Sequence, residues 1–257
     1  TCALPIYRNE LRLLYQPKFH APAGPVLGFE ALLRWQHPKQ GLLPPDLFLP
    51  LAEKTGLIIP IGNWVIDEAC RQLREWHLQG HTDWSMAVNL STLQFEQPSL
   101  VKTVLDCLTR HSVPPGMLIL EVTETTAMNN PDESVRVLTA LTDAGVKASI
   151  DDFGTGYSSL LYLKRLPACE LKIDRAFVKE LSGESEDATI VSAIVALAKT
   201  LNLKVVAEGV ETAAQQTFLT ELGCNTLQGY LLGKPITAQA IMEQCQHGEM
   251  SPPRAQS

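Results

Sequence analysis

Glu10–Trp35 reads ELRLLYQPKFHAPAGPVLGFEALLRW. Its flanks, Glu10–Lys18 and Leu27–Trp35, are aliphatic runs that read as strands. His20–Val26 between them is rich in proline and glycine and too short to hold a crossover helix. Parallel strands need a connection of about a dozen residues or more, so this pair is expected to be antiparallel.

Beyond Trp35 the pattern changes to an alternation of short apolar runs and longer helical stretches. The further strand candidates are Ser85–Leu90, Met117–Val122, Lys147–Ile150, Glu170–Ile173, Lys204–Ala207 and Asn225–Leu227. The helix candidates are Pro60–Gln79, Ser99–His111, Asp132–Ala144, Ser158–Leu166, Asp187–Leu201, Thr212–Leu222 and Ala238–Gln246. Gly145 and Gly223 stand where helix C-caps are expected, and Pro98 and Pro131 stand at helix starts. Strands alternating with helices predict a parallel sheet. Eight strands in 257 residues predict an α/β fold, a modified (β/α)8 TIM-like barrel with one antiparallel strand near the start. No composition shift marks a linker. Residues 1–247 are expected to form a single domain, cut from a longer multidomain protein, with 248–257 as a flexible tail.

Composition narrows the function classes. Lys and Arg total 21 and Asp and Glu total 28, a net charge of -7. Such a chain is poorly suited to coat a nucleic-acid backbone, so no long nucleic acid is expected as a partner. The most apolar stretch, Gly56–Ile66, is cut by Pro60, Gly62 and Asn63, so no membrane contact from this domain itself is expected. The six cysteines are scattered, with no CxxC pair, and read as reduced core thiols in a cytoplasmic setting.

In a barrel of this kind, functional side chains stand at the C-terminal ends of strands. The predicted strands deliver Glu30, Asn89, Glu121, Asp151, Lys172, Glu208 and Gln228 from otherwise apolar runs. Six acidic groups, Glu30, Glu121, Glu124, Asp151, Asp152 and Glu208, would repel one another at one mouth unless cations hold them together. Oxygen ligands of this kind suit Mg²⁺ or Mn²⁺. The adjacent Asp151 and Asp152 point to a two-metal site with ions ~3.5–4 Å apart, the arrangement that hydrolyses phosphodiesters. Asn89 is a neutral ligand candidate. Lys172 is the one cation in the set, placed to orient an attacking water or offset phosphoryl charge. Glu124 and Glu211 lie further out and fit a solvated loop equally well. Asp174 reads as a helix cap. Gly154-Thr155-Gly156 reads as a flexible loop rather than a phosphate cradle, and His77 with His81 as a solvated helix end rather than a zinc site.

The ordered set of motifs resembles one family. It comprises Tyr15-Gln16-Pro17, Glu30-Ala31-Leu32, Asn89-Leu90-Ser91, Glu121-x-Thr123-Glu124, the DDFGTGYSSL run from Asp151, Leu171-Lys172-Ile173-Asp174, Ala207–Glu211, Gln228-Gly229-Tyr230 and Leu232–Pro235. Together these resemble the EAL domain, the bacterial cyclic di-GMP phosphodiesterase family, over nearly the whole chain. The resemblance implies a barrel with one antiparallel strand and metal-dependent hydrolysis of cyclic di-GMP to linear pGpG, with two Mg²⁺ or Mn²⁺ ions activating a bridging water. It implies that Glu30, Asn89, Glu121 and Asp151 bind one metal, and that Asp151, Asp152 and Glu208 bind the second. Lys172 would contact the nucleophilic water, with Glu208 as a candidate base. Arg34, Gln228, Glu211 and Gln16 would meet substrate, and Glu124 would anchor the loop Asp152–Ser159. It also implies a homodimer and fused sensory or GGDEF domains, often on a membrane-anchored chain. Some relatives have lost these residues and act as cyclic di-GMP receptors or interaction modules. Here every expected ligand position is filled, which favours an enzyme.

Overall fold

The structure, a computed structural model, describes residues 8–21, 24–154, 160–181, 186–248 and 250. Nine strands form one sheet: β1 (Leu11–His20), β2 (Val26–His37), β3 (Gly41–Leu43), β4 (Ser85–Asn89), β5 (Leu118–Thr123), β6 (Lys147–Phe153), β7 (Glu170–Ile173), β8 (Lys204–Ala207) and β9 (Thr226–Leu227). Eight of them close a barrel in the order β1-β2-β4-β5-β6-β7-β8-β9, with β9 returning to β1. β1 is antiparallel to both of its neighbours, and each step from β2 through β9 is parallel. The reversed strand expected from the short His20–Val26 connection is therefore present. The ninth strand, β3, was not expected. It is three residues long and folds back on β2, pairing Leu43 with Trp35.

Alternation along each strand sorts side chains between two interiors. In β5, Leu118, Leu120 and Val122 join the apolar layer between sheet and helices, while Glu121 turns into the barrel to meet Lys172. β1 and β2 send Tyr15 and Phe29 outward onto Trp76 of the Ile58–Leu78 helix, with ring centroids 5.0 and 4.7 Å apart. Such ring pairs add about 0.5–1.5 kcal/mol beyond area burial. They fix the strand pair that carries Gln16 and Glu30.

Several boundaries differ from the sequence reading. The helix expected from Pro60 begins at Ile58, because a proline in the first turn lacks only an N–H that has no helical partner there. β6 does not stop at Ile150. It continues through Asp151 and Asp152 to Phe153, with an irregularity in its pairing to β7 where Asp152 takes φ +53°. His77 and His81 are not a solvated end. His77 is buried against the Trp84 carbonyl at 3.0 Å, and His81 stacks on the Trp84 ring. Of the expected 158–166 helix, Leu160–Leu163 is helical, and 158–159 lie outside the described residues. So do 155–156 of the glycine turn and all but two residues of the expected tail. Among the described residues no helix is long and apolar enough to cross a membrane.

Candidate active site

Lys172 stands at the centre of the barrel mouth and is fully buried. Its Nζ lies 2.6 Å from Glu121 Oε2, 2.9 Å from Asp151 Oδ2, 2.6 Å from Glu208 Oε1 and 3.9 Å from Glu30 Oε2. Burial alone would discharge this ammonium. The four carboxylates outweigh that cost and hold it firmly protonated. β7 places Lys172 inward because Leu171 and Ile173, on either side of it, belong to the outer apolar layer.

Both oxygens of Glu30 are held. Asn89 Nδ2 donates to Oε1 at 2.7 Å, and Gln228 Nε2 donates to Oε2 at 2.7 Å. Gln228 Nε2 also reaches Gln16 Oε1 at 3.1 Å, and Gln16 Nε2 donates to the Gly233 carbonyl. The Gln16–Glu30 pair is in direct register across β1 and β2. Asp152 sits beside Asp151, whose Oδ1 accepts the Asp152 amide N–H at 2.8 Å.

Glu124 is not a solvated loop residue. It opens the Glu124–Asn129 helix, is buried, and accepts the Gly154 amide N–H at 2.8 Å. It thereby grips the chain where β6 leaves the barrel. The rest of the loop assigned to its anchoring, 155–159, lies outside the described residues. Asp174 caps the Arg175–Lys179 helix, accepting the Ala176 N–H at 2.7 Å, and also lines the mouth.

Above these residues opens a cleft of about 640 Å³. Glu30, Asp151, Asp152 and Glu208 form its acidic wall, with the neutral amide of Asn89 among them. Gln16, Arg34, Glu211 and Gln228 also line it, so all four expected substrate contacts face one space. Tyr230, the end of the Gln228-Gly229-Tyr230 motif, lines it too, as do Asp46 and Arg175, which were not singled out in the sequence. Asp46 and Arg175 sit next to Pro45 and Asp174 at element starts, where a charged residue reads as a cap or a solvated turn.

The inner wall also holds Lys18 and Glu170, which the sequence reading missed. Five carboxylates, Glu30, Glu121, Asp151, Glu170 and Glu208, face two ammonium groups, Lys18 and Lys172, and would leave an excess of three negative charges if all were ionised. Burial drives Glu208 up to about 8 and Glu121 up to about 7. Lys172 opposes this in both, and the neighbouring carboxylates add to it. Half-buried Asp152 is raised to about 6 by burial, then by Asp151 and Asp174. Among the described residues no three acidic, His or Cys side chains are preset around a metal-sized point; the carboxylates converge on Lys172 instead. The donor set nevertheless fits hard divalent ions. All its ligand atoms are oxygens, and the negative charge that appears as its carboxyls lose their protons is one a cation would offset.

The family described as "EAL domain" matches residues 3–235. The chain belongs to the EAL domain family. This EAL domain is 65% identical over 235 residues to the bifunctional diguanylate cyclase/cyclic di-GMP phosphodiesterase MucR of Pseudomonas aeruginosa, covering 91% of the chain and 34% of that protein. It is 46% identical over 235 residues to the cyclic di-GMP phosphodiesterase NbdA of the same organism, covering 91% and 30%. Among solved structures, the PaMucR phosphodiesterase in complex with c-di-GMP superposes with a TM-score of 0.90 at 64% identity, over 92% of this chain and 96% of that one. The chain spans about a third of the length of these curated relatives.

Proposed function

We propose that this EAL domain is a metal-dependent phosphodiesterase that opens cyclic di-GMP to linear pGpG. The observation that carries the proposal is the convergence of Glu121, Asp151 and Glu208 on Lys172 beneath a cleft walled by Glu30, Asn89 and Asp152. A receptor needs no such acidic set. The substrate follows from the relatives, two of which are named for cyclic di-GMP hydrolysis and one of which binds it in a similar fold.

Glu30, Asn89, Glu121 and Asp151 would hold one Mg²⁺ or Mn²⁺, and Asp151, Asp152 and Glu208 a second. Divalent ions there supply Lewis acidity, lowering the pKa of a water and offsetting charge on a phosphoryl oxygen. The chain's own residues do the rest. Gln228 and Asn89 fix Glu30 from both sides. Lys172, whose three N–H groups are held by Glu121, Asp151 and Glu208 here, would turn one to the attacking water once those carboxylates bind metal, and would offset charge that builds as the 3′ oxygen departs. Glu208, at the cleft wall and 2.6 Å from Lys172 Nζ, is the group placed to take the water's proton. Arg34 faces the cleft and would meet a phosphate; its Nη1 also donates to the Leu33 carbonyl. Gln16, Glu211 and Gln228 would contact the rest of the dinucleotide. Glu124 holds Gly154 and with it the exit of β6 that carries both aspartates.

The domain, 1–247, would work as a homodimer within a longer signalling protein bearing sensory or GGDEF domains, on the cytoplasmic side of a membrane where that protein is anchored. The test is Asp151→Asn. Cyclic di-GMP binding should persist while pGpG release falls to background. Parent-level release by D151N would overturn the assignment.

A further inference from the structure

Beneath the mouth the barrel has a second polar layer. β1 runs opposite to the other barrel strands, so each step forward along it moves toward the base. Gln16 stands level with Glu30 in the mouth, and Lys18, two residues on, stands level with Gly28 one layer lower. Lys18 is 3% exposed. Its Nζ lies 3.4 Å from Glu121 Oε1 and 3.5 Å from Glu170 Oε2. Ser149 is in register with both Glu121 and Glu170 on the strands between, completing this floor.

Glu121 is thus shared. Its Oε1 is taken from below by Lys18 and its Oε2 from above by Lys172. A carboxylate on a two-carbon stem rotates unless both oxygens are held. Lys172 alone does not hold Glu121 against rotation, because the same Nζ also serves Asp151 and Glu208. Lys18 does not line the cleft.

We propose that Lys18 is a positioning residue: from the barrel floor it fixes Glu121 Oε1, so that the carboxylate presents Oε2 to the mouth where the metal and Lys172 compete for it. Glu170 is its charge partner, offsetting the buried ammonium from the side away from Glu121's mouth-facing oxygen. The role rests on the metal assignment of Glu121 made above. Partners that orient a ligating side chain typically govern metal affinity by about 10–100-fold.

Lys18→Met alone would leave Glu170 buried without its cation and could unfold the barrel for that reason. The informative protein is the double variant K18M/E170Q, which removes one charge of each sign and keeps the net charge of the interior. E170Q alone is its control. Mn²⁺ affinity is measured by calorimetry, with thermal midpoints for all three proteins, and the metal-free double variant is crystallised. The expected result is a double variant with a midpoint near the parent, Mn²⁺ binding weakened about 10–100-fold, a displaced Glu121 carboxylate, and E170Q binding Mn²⁺ like the parent. Mn²⁺ affinity of the double variant within threefold of the parent would overturn the proposal. So would an equal loss in E170Q, or a Glu121 carboxylate that has not moved. A parent that binds no Mn²⁺ would sink the metal reading instead, and the position of Glu121 in the metal-free crystal would then decide the role of Lys18.

Discussion

Gln228 Nε2 donates to Glu30 Oε2 at 2.7 Å, across 198 positions of chain and past the reversed strand that separates β9 from β2. This one bond ties the last barrel strand to the second and aims the carboxylate of Glu30. Asn89 takes its other oxygen, so Glu30 enters the mouth with its orientation already fixed.

Replacing Glu30 with alanine removes a proposed ligand, takes away the acceptor of the Asn89 amide and leaves Gln228 Nε2 with Gln16 Oε1. A Lewis-acid contribution of several kcal/mol, at tenfold per 1.36 kcal/mol, corresponds to about 10²-fold or more in turnover. Steady-state hydrolysis of cyclic di-GMP by folded E30A checks this. Turnover within tenfold of the parent would remove Glu30 from the ligand set.

Lys172→Met should destabilise the metal-free protein. Three carboxylates within 3 Å lose their shared cation, and removing one partner of a buried ion pair costs about 3–5 kcal/mol. Mn²⁺ should raise the thermal midpoint of K172M by more than it raises that of the parent, because the ion replaces the missing positive charge. Scanning calorimetry with and without Mn²⁺ reads both effects. An unchanged metal-free midpoint would contradict the central place given to Lys172.

The fold was readable because its departure from a regular barrel is local. The short His20–Val26 connection allows only an antiparallel pair, and that pair is present in β1 and β2. The acidic mouth was readable because each inward carboxylate interrupts an outward apolar pattern, as Glu121 does between Leu120 and Val122. Lys18 was not, since a lysine after Pro17 looks like a strand end. Only the reversed direction of β1 turns it into the barrel floor. The extent of β6 was hidden for a different reason. Two consecutive aspartates are poor strand formers, and the left-handed turn at Asp152 that lets the strand resume at Phe153 leaves no mark in the composition.

Acidity should govern both metal binding and stability. Metal-free Glu121 and Glu208 titrate near 7 and 8, above the ordinary carboxylate range. Between about pH 4.5 and 8 the folded state therefore binds more protons than the unfolded one, so metal-free stability falls as pH rises through that window. Mn²⁺ must displace the same protons, so its affinity rises over the same range. Urea titrations in EDTA and Mn²⁺ calorimetry at pH 5.5, 7 and 8.5 should show these opposite trends (roughly linear slopes near the midpoints, by linkage). A metal affinity independent of pH would contradict the raised pKa of Glu208 in the metal-free site.

Glu124→Ala frees the Gly154 amide from a buried carboxylate. A hydrogen bond to a charged group contributes about 1.5–3 kcal/mol. Hydrogen exchange at the Gly154 amide should quicken, and Mn²⁺ should bind more weakly as the adjacent Asp151 and Asp152 lose their hold. Exchange at the parent rate would mean that Glu124 does not anchor the end of β6.

The most direct measurement is chromatographic. The purified domain is incubated with cyclic di-GMP in Mg²⁺, in Mn²⁺ and in EDTA, and the products are separated. The prediction is pGpG with either metal and none in EDTA. Cyclic di-GMP that is bound yet returned intact with both metals, at high protein concentration, would contradict hydrolysis and make the domain a receptor.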